Sequence, residues 1–195
     1  MIRRSEDLLD WAKKEGAQCG LAVVAADDLD TLQTVNAAFR KGVIRPTLIG
    51  PADRIAAMAR EASIDISRFQ VSDQRDDFAC IREAIRLIRE GQCEVIMKGR
   101  VKTADLMGEV LHKANNLRTD RIVSHVGAFT VPDEDRIMMI TDAGINIAPD
   151  LMRKRDIILN AVQVAHSIGI ERPRVAVLSF IEKIEIRGNA VTKDK

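Results

Sequence analysis

The run MKGRVKT at residues 97–103 gathers cations, a glycine and a hydroxyl in one short stretch. Lys98, Arg100 and Lys102 bring positive charge, and Gly99 lets a ligand approach the backbone closely. Thr103 stands where a helix would begin and could cap it. Backbone N–H groups at a helix start, beside fixed cations, make a natural anion site. The GxxxxGK[ST] spacing of a nucleotide-binding phosphate loop is absent. The same residues would also serve as a solvated basic turn, so both readings stay open on spacing alone.

A second polar group lies in ITDAGINIAPD, residues 140–150. The apolar run before it delivers Thr141 and Asp142 to a strand's carboxyl end, and Asn146 sits between two isoleucines. Small polar groups in an apolar frame suit a ligand cleft. They suit equally a loop in which Asp142 and Asn146 satisfy turn backbone. Ser124 and His125 form a third polar point. On a strand, neighbouring side chains face opposite ways, so these two do not read as a nucleophile and its base. No HxxxH or HExxH spacing links His112, His125 and His166, and no metal site is expected.

These groups must be positioned by the elements around them, and the chain alternates strand-like and helical patterns. A helix is expected over 5–15, with Leu8, Leu9 and Ala12 on one face, then a buried strand over 20–26. Leu29, Leu32, Val35, Ala38 and Phe39 repeat at helical spacing until Gly42. Residues 43–49 read as a strand despite Pro46, 54–62 as a helix and 69–71 as a short strand. Phe78, Ile81, Ile85 and Ile88 share a helical face, and 94–97 is a compact strand. The helix that Thr103 would open carries Met107, Val110, Leu111 and Ala114. Residues 121–129 and 136–140 form an expected hairpin about a polar turn. Asp150 caps a helix with Ile157, Ile158, Ala161, Val162, Ala165 and Ile168 on its apolar side, and 175–178 reads as a last strand. Such alternation predicts an α/β fold with a mostly parallel sheet and helices on both faces. Ligands in these folds bind beyond the carboxyl ends of the strands, where all three polar groups fall.

Composition narrows the classes. The 195 residues carry 30 basic and 29 acidic side chains, so no charge excess points to nucleic acid. Aromatic residues make up 3% and tyrosine is absent, and this scarcity of base-stacking faces argues further against nucleic acid. No apolar run approaches a membrane span, and no apolar segment follows the charged start as a secretory signal requires. Cys19, Cys80 and Cys93 are odd in number and far apart, as reduced thiols in a cytoplasmic protein would be. No GxGxxG follows a strand, which argues against a nicotinamide-dependent dehydrogenase.

Taken together, VIMKGRVKTAD at 95–105, TDAGINIAPD at 141–150, IILNA at 157–161, AHSIG at 165–169 and PRVAVLS at 173–179 resemble the phosphate acetyltransferase/phosphate butyryltransferase family. The order and spacing resemble its butyryl branch in particular, from the opening helix to about residue 182. The resemblance implies two α/β lobes around a cleft, similar to isocitrate and isopropylmalate dehydrogenases. Residues 1–118 would be the first lobe and 119–195 the start of a second, incomplete one. It also implies a cytoplasmic acyltransferase that moves an acetyl or butyryl group between coenzyme A and phosphate. Coenzyme A and its acyl thioester would be the substrates, and no bound cofactor or metal is implied.

Lys98, Gly99, Arg100 and Thr103, with Ser124, Asp142 and Asn146, are the implied phosphate- or coenzyme A-binding residues. No residue is expected as the catalytic base, because the family's serine–arginine pair and aspartate lie in a later half that has no counterpart here. The arginine that commonly follows the family's Ala-Asp pair is also absent after Ala104 and Asp105. Acyl-CoA and phosphate would be the partners, with neither nucleic acid nor membrane, and the chain is expected to form a homodimer or higher homo-oligomer. The alternative is a binding or assembly module that keeps the fold and lacks the chemistry.

Overall fold

The two longest strands of the main sheet are apolar and buried along most of their length, which fixes how the sheet must be covered. The computed structural model describes residues 2, 4–14, 18–134 and 136–178. The last part of the expected 119–195 lobe lies outside the described residues. The chain separates into two compact units, one within residues 15–118 and one made of residues 1–14 with those from 119 on. The opening helix is thus grouped with the later residues, not with the expected 1–118 lobe.

In the 15–118 unit, β1 (Cys19–Val24), β2 (Ile44–Gly50), β3 (Gln70–Asp73) and β4 (Val95–Lys98) form one parallel sheet in the order β3-β2-β1-β4. Leu21, Val23 and Leu48 face one way, packing with Leu32 and Val35 of α2 (Leu29–Arg40) and Ile55 and Ala59 of α3 (Ala52–Glu61). Ala22, Val24 and Ile49 face the other, against Ile81, Ala84 and Ile85 of α4 (Asp77–Arg89) and Leu106 of α5 (Thr103–Val110). Alternating side chains along a doubly covered strand explain its unbroken apolar sequence. After β3 the chain reverses direction across the sheet, and α4 passes to the opposite face, as a constant crossover hand requires.

Asp28 caps α2 by accepting from Thr31 N at 2.9 Å, and Asp76 caps α4 by accepting from Ala79 N at 2.9 Å. β3 pairs with β2 only from Thr47 on. Pro46 therefore lies where β2 has a neighbour on one side only, a position that tolerates proline. Phe78 is 42% exposed, against expectation. The buried face of α4 runs through Cys80, Ile81, Ala84, Ile85 and Leu87. At helical pitch Phe78 falls about 100° from its centre.

The other unit contains α1 (Ser5–Lys14), an antiparallel hairpin of β5 (Gly127–Thr130) and β6 (Ile137–Ile140), and α6 (Leu151–Ser167). Asp150 caps α6 as expected, accepting from Arg153 N at 2.9 Å. The first hairpin strand is shorter than the expected 121–129. Ile122 N donates to Asp156, Ile122 O accepts from Asn160 and Val123 O accepts from Asn146, so side chains take the bonds a neighbouring strand would supply. The expected strand at 175–178 does not form among the described residues, and these residues join neither sheet.

Two glycines give a paired test of this packing. A Cβ on Gly99 would lie 2.4 Å from Ala25 O and 2.6 Å from Val24 O, whereas one on Gly108 in α5 meets nothing within 4 Å. Gly99→Ala should lower stability by about 1–3 kcal/mol or more. Gly108→Ala should raise it by about 0.5–1 kcal/mol through helix propensity. Shifts of the urea midpoint in opposite directions would bear this out.

Candidate functional site

The strand order reverses between β1 and β4, so the crevice at their carboxyl ends is the switch point of the sheet. The MKGRVKT run leaves β4 at that point. Gly99 N donates to Val24 O at 2.8 Å and Arg100 N to Ala25 O at 3.2 Å. Ala25 adopts a positive φ of 50°, which turns the chain after β1. The room that Gly99 provides is taken up by this β1 backbone rather than left for a ligand.

Lys98 Nζ curls over its own loop, donating to Gly99 O at 2.9 Å and Val101 O at 3.1 Å. Arg100 Nε donates to Asp27 Oδ1 at 3.2 Å, Nη2 to Asp77 Oδ1 at 2.9 Å and Nη1 to Asp77 Oδ2 at 3.5 Å. Burial works against the Arg100 charge, but Asp27 and Asp77 outweigh it, and its pKa is raised. Thr103 is the first residue of α5 and not its cap. Lys102 occupies the cap position and its side chain makes no capping bond. The first N–H groups of α5 therefore meet no side-chain acceptor from the cap.

Ser124, Asp142 and Asn146 lie in the other unit. Asp142 accepts from Gly144 N at 3.0 Å, Ile145 N at 2.9 Å, Asn146 N at 3.1 Å and Asn146 Nδ2 at 2.6 Å. It therefore organises its own loop, as the structural reading of this motif expects. Asn146 Nδ2 also donates to Val123 O at 2.9 Å. Ser124 Oγ accepts from Asn160 Nδ2 at 2.9 Å, so its own proton remains available to a further acceptor. His125 is exposed and lies outside β5, so the strand-based view of Ser124 and His125 does not apply. Its carbonyl accepts from Thr141 Oγ1 at 2.6 Å.

Asp27, Asp77 and Asn160 were not singled out by sequence. Asp27 and Asp28 mark a turn after an apolar strand, but burial of the first depends on the parallel neighbours. Asn160 shares α6 with the apolar positions Ile157 and Ala161, and its pairing with Ser124 is a long-range contact. Among the described residues no group of His, Cys, Asp or Glu is arranged to hold a metal ion, and no helix is long and apolar enough to cross a membrane. The three cysteines are free thiols.

Residues 78–195 match the family described as "Phosphate acetyl/butaryl transferase". A phosphate acetyltransferase of Rhizobium meliloti is 38% identical over 177 residues, covering 91% of this chain and 56% of that protein. A phosphate butyryltransferase of Clostridium acetobutylicum is 35% identical over 164 residues, covering 84% of this chain and 54% of that one. The chain thus spans about half the length of these curated relatives. Among solved structures, a branched-chain phosphotransacylase from Enterococcus faecalis superposes with a TM-score of 0.73 at 24% identity, over 86% of this chain and 58% of that one. A phosphotransacetylase from Streptococcus pyogenes gives 0.70 at 15% identity, over 90% and 62%. At these identities the structural likeness concerns the fold.

Asp142 carries a pH signature. Burial works to raise its pKa, but the N–H groups of Ile145 and Gly144 and both Asn146 donors outweigh it, and the pKa is lowered. The unfolded chain then binds more protons between the two values, so the stabilisation is complete above about pH 4 and is lost as pH falls through the folded pKa. Asp142→Asn removes that dependence. In urea denaturation from about pH 7 to about pH 3, the advantage of wild type over D142N should shrink below about pH 4.

Proposed function

The chain belongs to the phosphate acetyl/butyryl transferase family, and on that premise we propose that it takes part in moving an acetyl or butyryl group between coenzyme A and phosphate. A phosphate oxygen attacks the thioester carbonyl of acyl-CoA. A tetrahedral oxyanion forms, the C–S bond breaks, and coenzyme A leaves as the thiolate and takes a proton. In reverse the thiolate attacks the acyl phosphate, and a thiolate is the competent nucleophile. Both substrates are polyanions, and the developing oxyanion needs fixed donors.

One observation carries this reading. An α5 N-terminus with no side-chain cap, flanked by Lys98, Arg100 and Lys102, opens at the switch point of a parallel sheet. Lys98, Arg100 and Thr103 with the α5 N–H groups are the proposed anion-holding set, Gly99 supplying the backbone turn between them. Ser124, with a free hydroxyl proton, is a proposed donor to substrate, and Asp142 and Asn146 hold its loop in shape. The catalytic base is not assigned among these residues. The same reading extends to a two-lobed arrangement like that of isocitrate and isopropylmalate dehydrogenases, a homo-oligomer, and a reducing cytoplasm that keeps Cys19, Cys80 and Cys93 as thiols.

The test is coenzyme A release from acetyl-CoA and butyryl-CoA by the purified chain, with phosphate as acceptor and a thiol dye as readout. Turnover should require phosphate, and Lys98→Ala or Arg100→Ala should each lower kcat/KM about tenfold or more. Folded chain that releases no coenzyme A under these conditions would rule out transfer by this chain.

A further inference from the structure

Asp27 has no part in the reading above, yet it is the most buried charged side chain of the switch crevice. Its side chain is 0% exposed, and it sits on the loop that leaves β1. Two arginines from different elements reach it. Arg100 Nε, from the loop after β4, donates to Oδ1 at 3.2 Å. Arg54 Nη1, from α3, approaches Oδ2 at 3.2 Å. The second contact is an ion pair without hydrogen-bond alignment, so Oδ2 has no hydrogen-bond donor among the described residues. The arginines themselves remain accessible, at 40% for Arg100 and 56% for Arg54. A buried acceptor thus holds two cations that stand at the surface of the strand ends.

We infer that Asp27 is a positioning residue that, with Asp77, locks the Arg100 guanidinium so that its remaining N–H groups face an incoming phosphate oxygen. The inference rests on the functional reading above. A guanidinium is planar, so carboxylates on separate elements, one on Nε and one across both Nη atoms, fix its plane as well as its place. Three N–H groups are engaged in this way, and two remain, both on Nη atoms. An arginine paired only at the surface would keep most of its rotamer freedom. Asp27 removes that freedom before a ligand arrives, which is the general route by which a rigid site gains affinity.

The role has a sign that electrostatics alone would not give. Asp27 and Asp77 together offset the charges of Arg54 and Arg100, and removing a carboxylate near an anion site should tighten anion binding through charge. Positioning demands the reverse. Asp27→Asn should weaken binding although it makes the crevice more positive.

The experiment is calorimetric titration of the full chain with inorganic phosphate and, separately, with coenzyme A. Wild type, Asp27→Asn, Arg100→Ala and the double variant are compared, with thermal melts recorded alongside. Asp27→Asn should raise Kd by about tenfold, as loss of one charge-assisted hydrogen bond corresponds to. In the Arg100→Ala background it should add nothing, because its effect passes through that side chain. An unchanged or lower Kd for Asp27→Asn, or a full additional loss on top of Arg100→Ala, overturns the inference and leaves the functional reading standing. Wild type that binds neither ligand overturns the functional reading and the positioning role with it. Should Asp27→Asn fail to fold, Arg100→Lys decides the matter. It keeps the charge but not the planar fork, so it should bind about tenfold more weakly. Wild-type affinity in Arg100→Lys would sink the idea.

Discussion

The close approach of two backbones at Gly99 governs the candidate site. Parallel pairing of β1 and β4 brings the ends of the two strands side by side, and the bonds from Gly99 N and Arg100 N to Val24 O and Ala25 O carry the pairing one step beyond the sheet. A side chain at position 99 would push these loops apart. With them would go the distance between Asp27 on one loop and Arg100 on the other. The contact that completes the sheet edge is thus the one that assembles the charged groups, so fold and site share a single steric condition.

Charge around that contact is balanced rather than simply positive. Arg100 is held by carboxylates on two elements, and Lys98 is turned onto the carbonyls of its own loop. A reading in which each basic side chain waits unpaired for an anion misses this. In the proposed site, a ligand would meet the uncapped start of α5, the third N–H of Lys98 and the unused N–H groups of the Arg100 guanidinium. Such donors are few but fixed, and fixed donors lose little freedom on binding.

Much of the 15–118 unit was legible in the sequence because its two central strands, β1 and β2, are covered on both faces and its helices on one. The apolar runs at 20–26 and 94–97 and the spacing of Ile81 and Ile85 carried that information directly. The parallel sheet flanked by helices follows. Legibility failed where long-range contacts decide. The segment at 122–124 looks like a strand, yet Asp156, Asn160 and Asn146 take its backbone bonds. Phe78 has an apolar type but the wrong angle. Thr103 has the chemistry of a cap but stands one residue too late. At the site, the basic run announced itself, whereas Asp27 did not, because an aspartate after a strand usually means a turn. Its burial arises only when β2 and β4 close on either side of β1.

The grouping of α1 with residues beyond 119 has a consequence for the order of assembly. The stretch 15–118 is continuous and emerges from the ribosome as a complete set of strands and covering helices. Helix α1 is synthesised before it, but its partners come after. The Trp11 ring meets Gly169, at the end of α6, and α1 lies beside β5. Its docking therefore closes a loop that contains the whole intervening unit, a slow kind of contact in chain-entropy terms. During translation the apolar side of α1 stays unsatisfied while the sheet behind it forms. This is the interval in which a chaperone, or a misplaced apolar surface, competes for Trp11.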